Sequence, residues 1–189
     1  MPTDACSKYT LKQTVVLVGM MGSGKSAVGR TLANRLEVPF VDSDTAIEAA
    51  AAATIAEIFA RDGEAFFRKR ESEVLARLLA GEPKVVSTGG GAFLSAENRA
   101  LIARNGVGVW LDASLDILWE RVRNKDSRPL LRTADPKATL AAIYHDRFDI
   151  YAQAAVRLPI SASASIDETT RSLIALLAEN NDILELTQC

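Results

Sequence analysis

Eight residues, Gly19-Met20-Met21-Gly22-Ser23-Gly24-Lys25-Ser26, match the phosphate-cradling pattern G-x-x-x-x-G-K-[ST] at every defined position. Glycines let such a loop turn tightly with its backbone N–H groups facing inward. The positive end of the helix that follows adds to the attraction for polyphosphate. Lys25 is placed to reach the β- and γ-phosphates, and the Ser26 hydroxyl to ligate Mg²⁺. The loop lies between the apolar run Val15–Val18 and the helical pattern Ala27–Leu36, the strand–loop–helix order this chemistry requires. It indicates a nucleoside triphosphate and leaves the acceptor open.

Phosphoryl transfer asks the protein for positioning, for cationic groups around the moving phosphoryl, and for something to orient the nucleophile. Val41-Asp42-Ser43-Asp44 closes a second strand-like run. Residues two apart on an extended chain share a side, so both carboxylates can face the crevice at the strand's C-terminal end. Asp42 suits the Mg²⁺ shell through water, and Asp44 suits a substrate hydroxyl. Asp44 is alternatively an N-cap for the next helix. Gly89-Gly90-Gly91 ends the third run, Val85-Val86-Ser87-Thr88, and can present N–H groups to a ligand at close range or merely connect two elements. Arg68, with Lys69, Arg70 and Glu71, reads by pattern as a solvated helix face, and Arg147 reads the same way. Arg128 lies in the polar stretch Asn124–Asp135, which has Pro129 at its middle. A long connection of this kind beside a site behaves as a lid, and its arginine meets phosphate on closure. His145, the single histidine, has no partner pattern.

These residues need a scaffold. The chain has 189 residues, 48% hydrophobic and 24% charged, with a net charge of −2. That suits one domain with a full core. A pI near 5.5 without a basic block argues against nucleic acid as the main ligand. No apolar stretch approaches a bilayer span, and Met1–Gln13 lacks a secretory pattern. Cys6 and Cys189 cannot make a disulfide framework, so a reducing cytoplasm is expected.

Strand-like runs at Thr14–Gly19, Phe40–Asp42, Lys84–Ser87, Gly108–Asp112 and Arg157–Ser161 alternate with helical patterns. The helices fall near Lys25–Leu36, Ser43–Ala53, Ile55–Ala60, Glu64–Ala80, Ala96–Asn105, Leu115–Asn124, Pro136–Gln153 and Glu168–Glu179, with Ser95, Ser114 and Asp167 as N-caps. The pattern predicts an α/β fold, a five-stranded parallel sheet between two helical layers. The alanine run Ala49–Ala53 reads as helix surface or helix packing.

Taken together, the segments resemble shikimate kinase from about Thr14 to Ile160. The resemblance rests on the phosphate loop, Val-Asp-Ser-Asp, Asp62-Gly63-Glu64 followed by Phe67-Arg68-x-x-Glu71, Gly89–Gly91, Arg128-Pro129-Leu130-Leu131 and Arg147-x-x-x-Tyr151. It implies a nucleoside monophosphate kinase-like phosphate-loop architecture, with a lid at about 124–135 and substrate helices at about 43–80. It further implies transfer of the γ-phosphoryl of ATP to the 3-hydroxyl of shikimate on the route to chorismate and the aromatic amino acids. On this resemblance Arg68 and Arg147 become a guanidinium pair for the shikimate carboxylate. Asp44 takes the hydroxyl proton, and Gly89, Gly90 and Gly91 line the substrate through N–H groups. Phe59 and Phe67, core residues by pattern, become an apolar wall. Arg128 joins Lys25 and Asp44 as catalytic. The ATP side comprises Gly22, Ser23, Gly24, Lys25, Ser26, Ala27, Arg121 (stacking on adenine) and Arg128, with Mg²⁺ on Ser26 and Asp42.

The five alanines stand where the family usually carries polar residues and a glycine. The stretch 161–167 matches only loosely, and the tail 180–189 has no evident counterpart. Another small phosphate-loop kinase, for gluconate or a nucleoside monophosphate, shares the loop but does not predict the glycine triplet together with Asp42, Asp44 and Arg128-Pro129-Leu130-Leu131. A guanine-reading switch would need Asn-Lys-x-Asp, whereas the chain has Asn124-Lys125-Asp126-Ser127. A monomer is expected, since no apolar stripe is left over for a partner.

Overall fold

The computed structural model describes residues 7–124 and 129–188. Its strands are β1 (Ser7–Leu11), β2 (Thr14–Val18), β3 (Phe40–Asp42), β4 (Val85–Ser87), β5 (Gly106–Ala113), β6 (Val156–Ile160) and β7 (Leu184–Gln188). Its helices are α1 (Lys25–Leu36), α2 (Ser43–Ala51), α3 (Ile55–Leu79), α4 (Ala96–Asn105), α5 (Leu115–Val122), α6 (Pro136–Tyr151) and α7 (Ile166–Ala178). Cys6, Cys189 and the segment Lys125–Arg128 lie outside the described residues.

Five strands form a parallel sheet in the order β3-β4-β2-β5-β6. The central strand β2 is buried along its whole length, Val15 through Val18 being fully enclosed. That explains its unbroken apolar run, because a parallel strand is covered on both faces. The C-terminal ends of β2, β3 and β4 therefore lie side by side. Val16 pairs with Val86, and Asp42 with Ser87. The phosphate loop, the Asp42–Asp44 segment and the glycine triplet all leave the sheet at this edge, where open α/β sheets bind ligands.

All five predicted strands are present, with ends shifted by at most two residues. The pattern missed a second sheet. β1 and β7 pair antiparallel, Leu11 opposite Leu184, with both side chains buried. Lys12 and Glu185 add an ion pair at 3.0 Å. The polar N-terminal segment and the tail thus stabilise one another, a pairing over more than 170 residues that no local pattern carries.

The two expected helices, Ile55–Ala60 and Glu64–Ala80, are both present as the two arms of α3, which meet at a break in helical backbone at Gly63 (φ 81°, ψ 173°). Gly63 supplies a backbone conformation that side-chain-bearing residues rarely adopt, and there the chain leaves one helical arm and enters the next. Helix α7 is capped by Ser165, not Asp167. The Ser165 hydroxyl accepts from the Glu168 N–H, and the Glu168 carboxylate accepts in return, a capping box. Helix α2 stops within the alanine run, where Ala52 takes a left-handed conformation at φ 48°. Ala51 and Ala53 pack on a small second core of Ile47, Ile58, Phe67 and Val74. The expected lid stretch is not wholly irregular. Pro129–Leu131 form a 3₁₀ turn, Leu131 is buried in the main core, and Asp135 caps α6.

Candidate active site

The phosphate loop takes its shape from glycines in the left-handed region, Gly19 (φ 134°), Gly22 (82°) and Gly24 (101°). At Gly22 a Cβ would lie 2.7 Å from a Val122 methyl, so α5 packs directly on the loop and admits no side chain there. The Lys25 ammonium donates to the Gly19 and Met20 carbonyls, both at 2.9 Å, which folds it over its own loop. Arg121 on α5 donates to the Gly22 and Ser23 carbonyls at 3.2 and 3.3 Å. It therefore braces the loop from outside. Gly22, Ser23, Gly24, Lys25, Ser26, Ala27 and Arg121 line one open cavity of about 520 Å³, together with Asp42, Asp44, Ser87, Thr88, Gly89 and Gly90.

The paired aspartates divide their work. Asp42, not Asp44, is the N-cap of α2: its Oδ1 accepts from the Asp44 N–H at 3.1 Å. Its Oδ2 accepts from the Ser26 hydroxyl at 3.0 Å, and that hydroxyl lies 3.2 Å from Ser87 Oγ. The Asp44 carboxylate lines the cavity, with Oδ1 against Gly89. Ser26 and Asp42 together offer hard oxygen donors beside the loop. A hydroxyl with one carboxylate fits Mg²⁺, which completes its shell with phosphate oxygens and water.

The glycine triplet has a steric logic invisible in the sequence. A Cβ on Gly89 would lie 2.6 Å from Asp44 Oδ1, and one on Gly91 would lie 2.5 Å from Arg68 Nη1. For a Cβ on Gly90 the nearest atoms would be Arg147 Nη1 at 3.6 Å and the Gly19 carbonyl oxygen and Tyr151 hydroxyl, both at 3.8 Å. Each glycine thus faces a different polar side chain from a different helix: Asp44 from α2 and Arg68 from α3, for which Gly89 and Gly91 make room, and Arg147 from α6, which a Cβ on Gly90 would meet at ordinary contact distance. The triplet brings together three groups distant in sequence. Its N–H groups are not all turned outward, as the resemblance implied. The Gly89 N–H donates to Ser43 Oγ at 3.3 Å and serves the wall itself. Among the described residues the Gly90 and Gly91 N–H groups have no protein acceptor.

Arg68 is not the solvated charge its pattern suggested. Nη1 pairs with Glu71 at 2.9 Å, and Glu71 is buried, with 3% of its side chain exposed. Burial pushes the Glu71 carboxyl above its ordinary value, against the pull of Arg68. Burial works against the Arg68 charge too, but the Glu71 and Glu64 carboxylates outweigh it and hold its pKa above the usual guanidinium value. The pair fixes where the Arg68 fork points. A second groove of about 770 Å³ opens here, between α3 and α4.

Other expected site residues are placed differently. Phe67 is buried in the second core and packs against the Phe59 ring at a 34° tilt, centroids 4.6 Å apart. Neither ring lines the phosphate-loop cavity, so the pattern reading of Phe67 as core holds, while Phe59 is 37% exposed. His145 is exposed on α6 and touches the Tyr144 ring edge-on. Arg128 lies outside the described residues. The sequence reading assigned nothing to Ser87, Thr88 or the far wall of Ile160, Ala164, Ile166 and Thr169. It also gave no role to Glu71 and Tyr151. Those two stand three residues after Arg68 and four after Arg147, the spacing that puts side chains on one helix face. That spacing was the available signal.

The wider comparisons agree with the geometry. Residues 21–178 match the family model described as shikimate kinase. The chain is 59% identical over 177 residues to a shikimate kinase of Ruegeria pomeroyi, covering 94% of this chain and 91% of that one. It is 56% identical to one of Cereibacter sphaeroides, covering 93% and 87%. Among solved structures, the shikimate kinase of Acinetobacter baumannii in complex with shikimate superposes with a TM-score of 0.81 at 34% identity, covering 88% and 93%. A gluconokinase from Sinorhizobium meliloti reaches a TM-score of 0.58 at 20% identity, which shows a shared fold alone. The chain belongs to the shikimate kinase family.

Proposed function

We propose that this protein transfers the γ-phosphoryl group of ATP to the 3-hydroxyl of shikimate, giving shikimate 3-phosphate and ADP. One observation supports this beyond family membership. Asp44, Arg68 and Arg147 converge on a single three-glycine wall beside a phosphate loop. A carboxylate and two guanidiniums match an acceptor that carries hydroxyls and one carboxylate.

In this reading ATP lies along Gly22–Ala27 with its phosphates on the loop N–H groups and the N-terminus of α1. Lys25 leaves its two carbonyl partners for the β- and γ-phosphates, and Arg121 borders the base. Ser26 and Asp42 would hold Mg²⁺, which when bound neutralises charge on the phosphates. Arg68 and Arg147 hold the acceptor's carboxylate, and Asp44 accepts the proton of the attacking hydroxyl. The chain acts as a single kinase domain over residues 1–189, with α2 and the first half of α3 on the acceptor side. Among the described residues the large exposed apolar ones, Phe59, Leu130, Ile166 and Leu186, sit on four separate elements, which favours a monomer. No helix among the described residues is long and apolar enough to cross a membrane. A cytoplasmic enzyme is the corresponding reading.

The test is ADP release with Mg-ATP against shikimate, gluconate, AMP and CMP in parallel. Turnover on shikimate is expected. Turnover confined to gluconate or a nucleotide would overturn the assignment.

A further inference from the structure

Tyr151, the last residue of α6, is 1% exposed, and its hydroxyl donates to the Gly90 carbonyl at 2.5 Å. Its ring is held by Phe93 and Trp110, with centroids 6.5 and 6.3 Å away. Burial raises the phenol pKa, against the pull of Arg147, so the hydroxyl keeps its proton at neutral pH and remains a donor. Arg147, one turn earlier, reaches the same oxygen only at the edge of bonding distance, 3.5 Å. The Gly90 carbonyl therefore has one strong donor and one weak one.

We infer that the Tyr151 hydroxyl is a positioning group for the acceptor site: it occupies the Gly90 carbonyl, leaving the Arg147 guanidinium for the substrate carboxylate. Two physical effects carry the inference. The peptide between Gly90 and Gly91 is planar, so anchoring its carbonyl also fixes the opposed Gly91 N–H, which has no protein acceptor among the described residues. Without the phenol, a part-buried carbonyl would be left with Arg147 as its remaining donor, and satisfying it would draw the guanidinium off its substrate. Tyr151 itself touches no reacting atom.

This rests on the acceptor being shikimate, and the test separates the two claims. Tyr151→Phe keeps the ring and removes one hydroxyl. The shikimate KM should rise about tenfold, the effect of one charge-assisted hydrogen bond weakened. The ATP KM should stay within about twofold, since the anchor touches no phosphate-loop residue. In an Arg147→Ala background the same substitution should add less than about twofold, because the group it protects is gone. An acceptor analogue with a hydroxymethyl group in place of the carboxylate should show no penalty.

A purely structural role predicts otherwise: equal penalties with or without Arg147, equal penalties on both acceptors, or an ATP KM that rises in step. Any of these overturns the inference, as does a Phe variant that fails to fold. If wild-type protein does not phosphorylate shikimate at all, the functional reading fails first. If it does, and Tyr151→Phe is indistinguishable from it, only the positioning role fails.

Discussion

Replacing each glycine of the triplet by alanine, one at a time, should have three different outcomes, two of them damaging. None of the three lies in the left-handed region, so a methyl meets a spatial demand and not a backbone one. At Gly91 the new carbon falls 2.5 Å from Arg68 Nη1, and restoring ordinary contact requires the guanidinium to retreat by about 0.9 Å. A displacement near 1 Å is enough to lose a bidentate clamp on a carboxylate, worth about 1.5–3 kcal/mol, or roughly a tenfold to hundredfold rise in shikimate KM. The arginine is 37% exposed and flexible, so the fold should lose no more than about 1 kcal/mol, a fall of roughly 2–4 °C in melting temperature. At Gly89 the methyl falls 2.6 Å from Asp44 Oδ1 and displaces the group that receives the proton, so kcat should drop about 10²-fold. At Gly90 the nearest atom is 3.6 Å away, an ordinary contact, and both constants should stay within about threefold. Steady-state ADP release over matrices of shikimate and ATP concentration, with thermal melting alongside, resolves all three. The reasoning is refuted if the central glycine proves as intolerant as its neighbours, or if Gly91→Ala raises the ATP KM as much as the shikimate KM.

Further expectations concern the proton acceptor, a buried carboxyl and a strained helix end. Asp44→Asn should remove at least about 10³-fold of turnover while ATP binding, measured by calorimetry, persists; near-normal turnover would show that another group takes the proton. Burial raises the Glu71 carboxyl, so folded protein retains a proton there that the unfolded chain releases. The stability this lends is present below about 4.5 and is lost as pH rises through the elevated value. Urea unfolding across that range should therefore show wild type losing stability relative to Glu71→Gln as pH rises. Parallel curves would contradict the burial argument. Glu57 and Glu168, whose capping bonds lower their pKa values, act in the opposite sense but are common to both proteins. Finally, Ala52 at φ 48° should welcome glycine: Ala52→Gly relieves about 1–2 kcal/mol of left-handed strain, less the flexibility glycine restores to the unfolded chain. A net gain of about 0.5–1 kcal/mol, or roughly 1–4 °C, is expected in a thermal melt, and a lower melting temperature would count against the assigned strain.

The parts of the fold legible in the sequence were those with local causes. Buried parallel strands announce themselves as unbroken apolar runs, and Ser95 and Ser114 cap their helices as their positions suggested. The phosphate loop was legible for the same reason: its function is carried by backbone conformation, and glycine at fixed spacing is a direct record of that. The ends of the chain were not legible. The β1–β7 pairing is made between segments whose partners lie at the far end of the sequence, and neither has a periodicity that demands it. The cap of α7 was misread as Asp167 because an equally good acceptor, Ser165, lay two residues earlier, and the cap of α2 was foreseen only as an alternative role of Asp44, where backbone geometry chose Asp42.

By itself, then, the sequence determined a strand–loop–helix site for polyphosphate, a parallel α/β scaffold and, through motifs in series, the family. It could not establish why three glycines stand together or what Arg68 does, since a charge run on a helix looks like a solvated face wherever it lies. Tertiary structure decided both. The triplet sits where helices α2, α3 and α6 each direct one polar group at the end of β4. Without side chains at Gly89 and Gly91, Asp44 and Arg68 can press against that short stretch of backbone, while Arg147 meets it at Gly90 in ordinary contact. Burial of Glu71 then holds one of those guanidiniums in place. Convergence of this kind is a property of packing between distant segments, and it exists only once the sheet has brought them together.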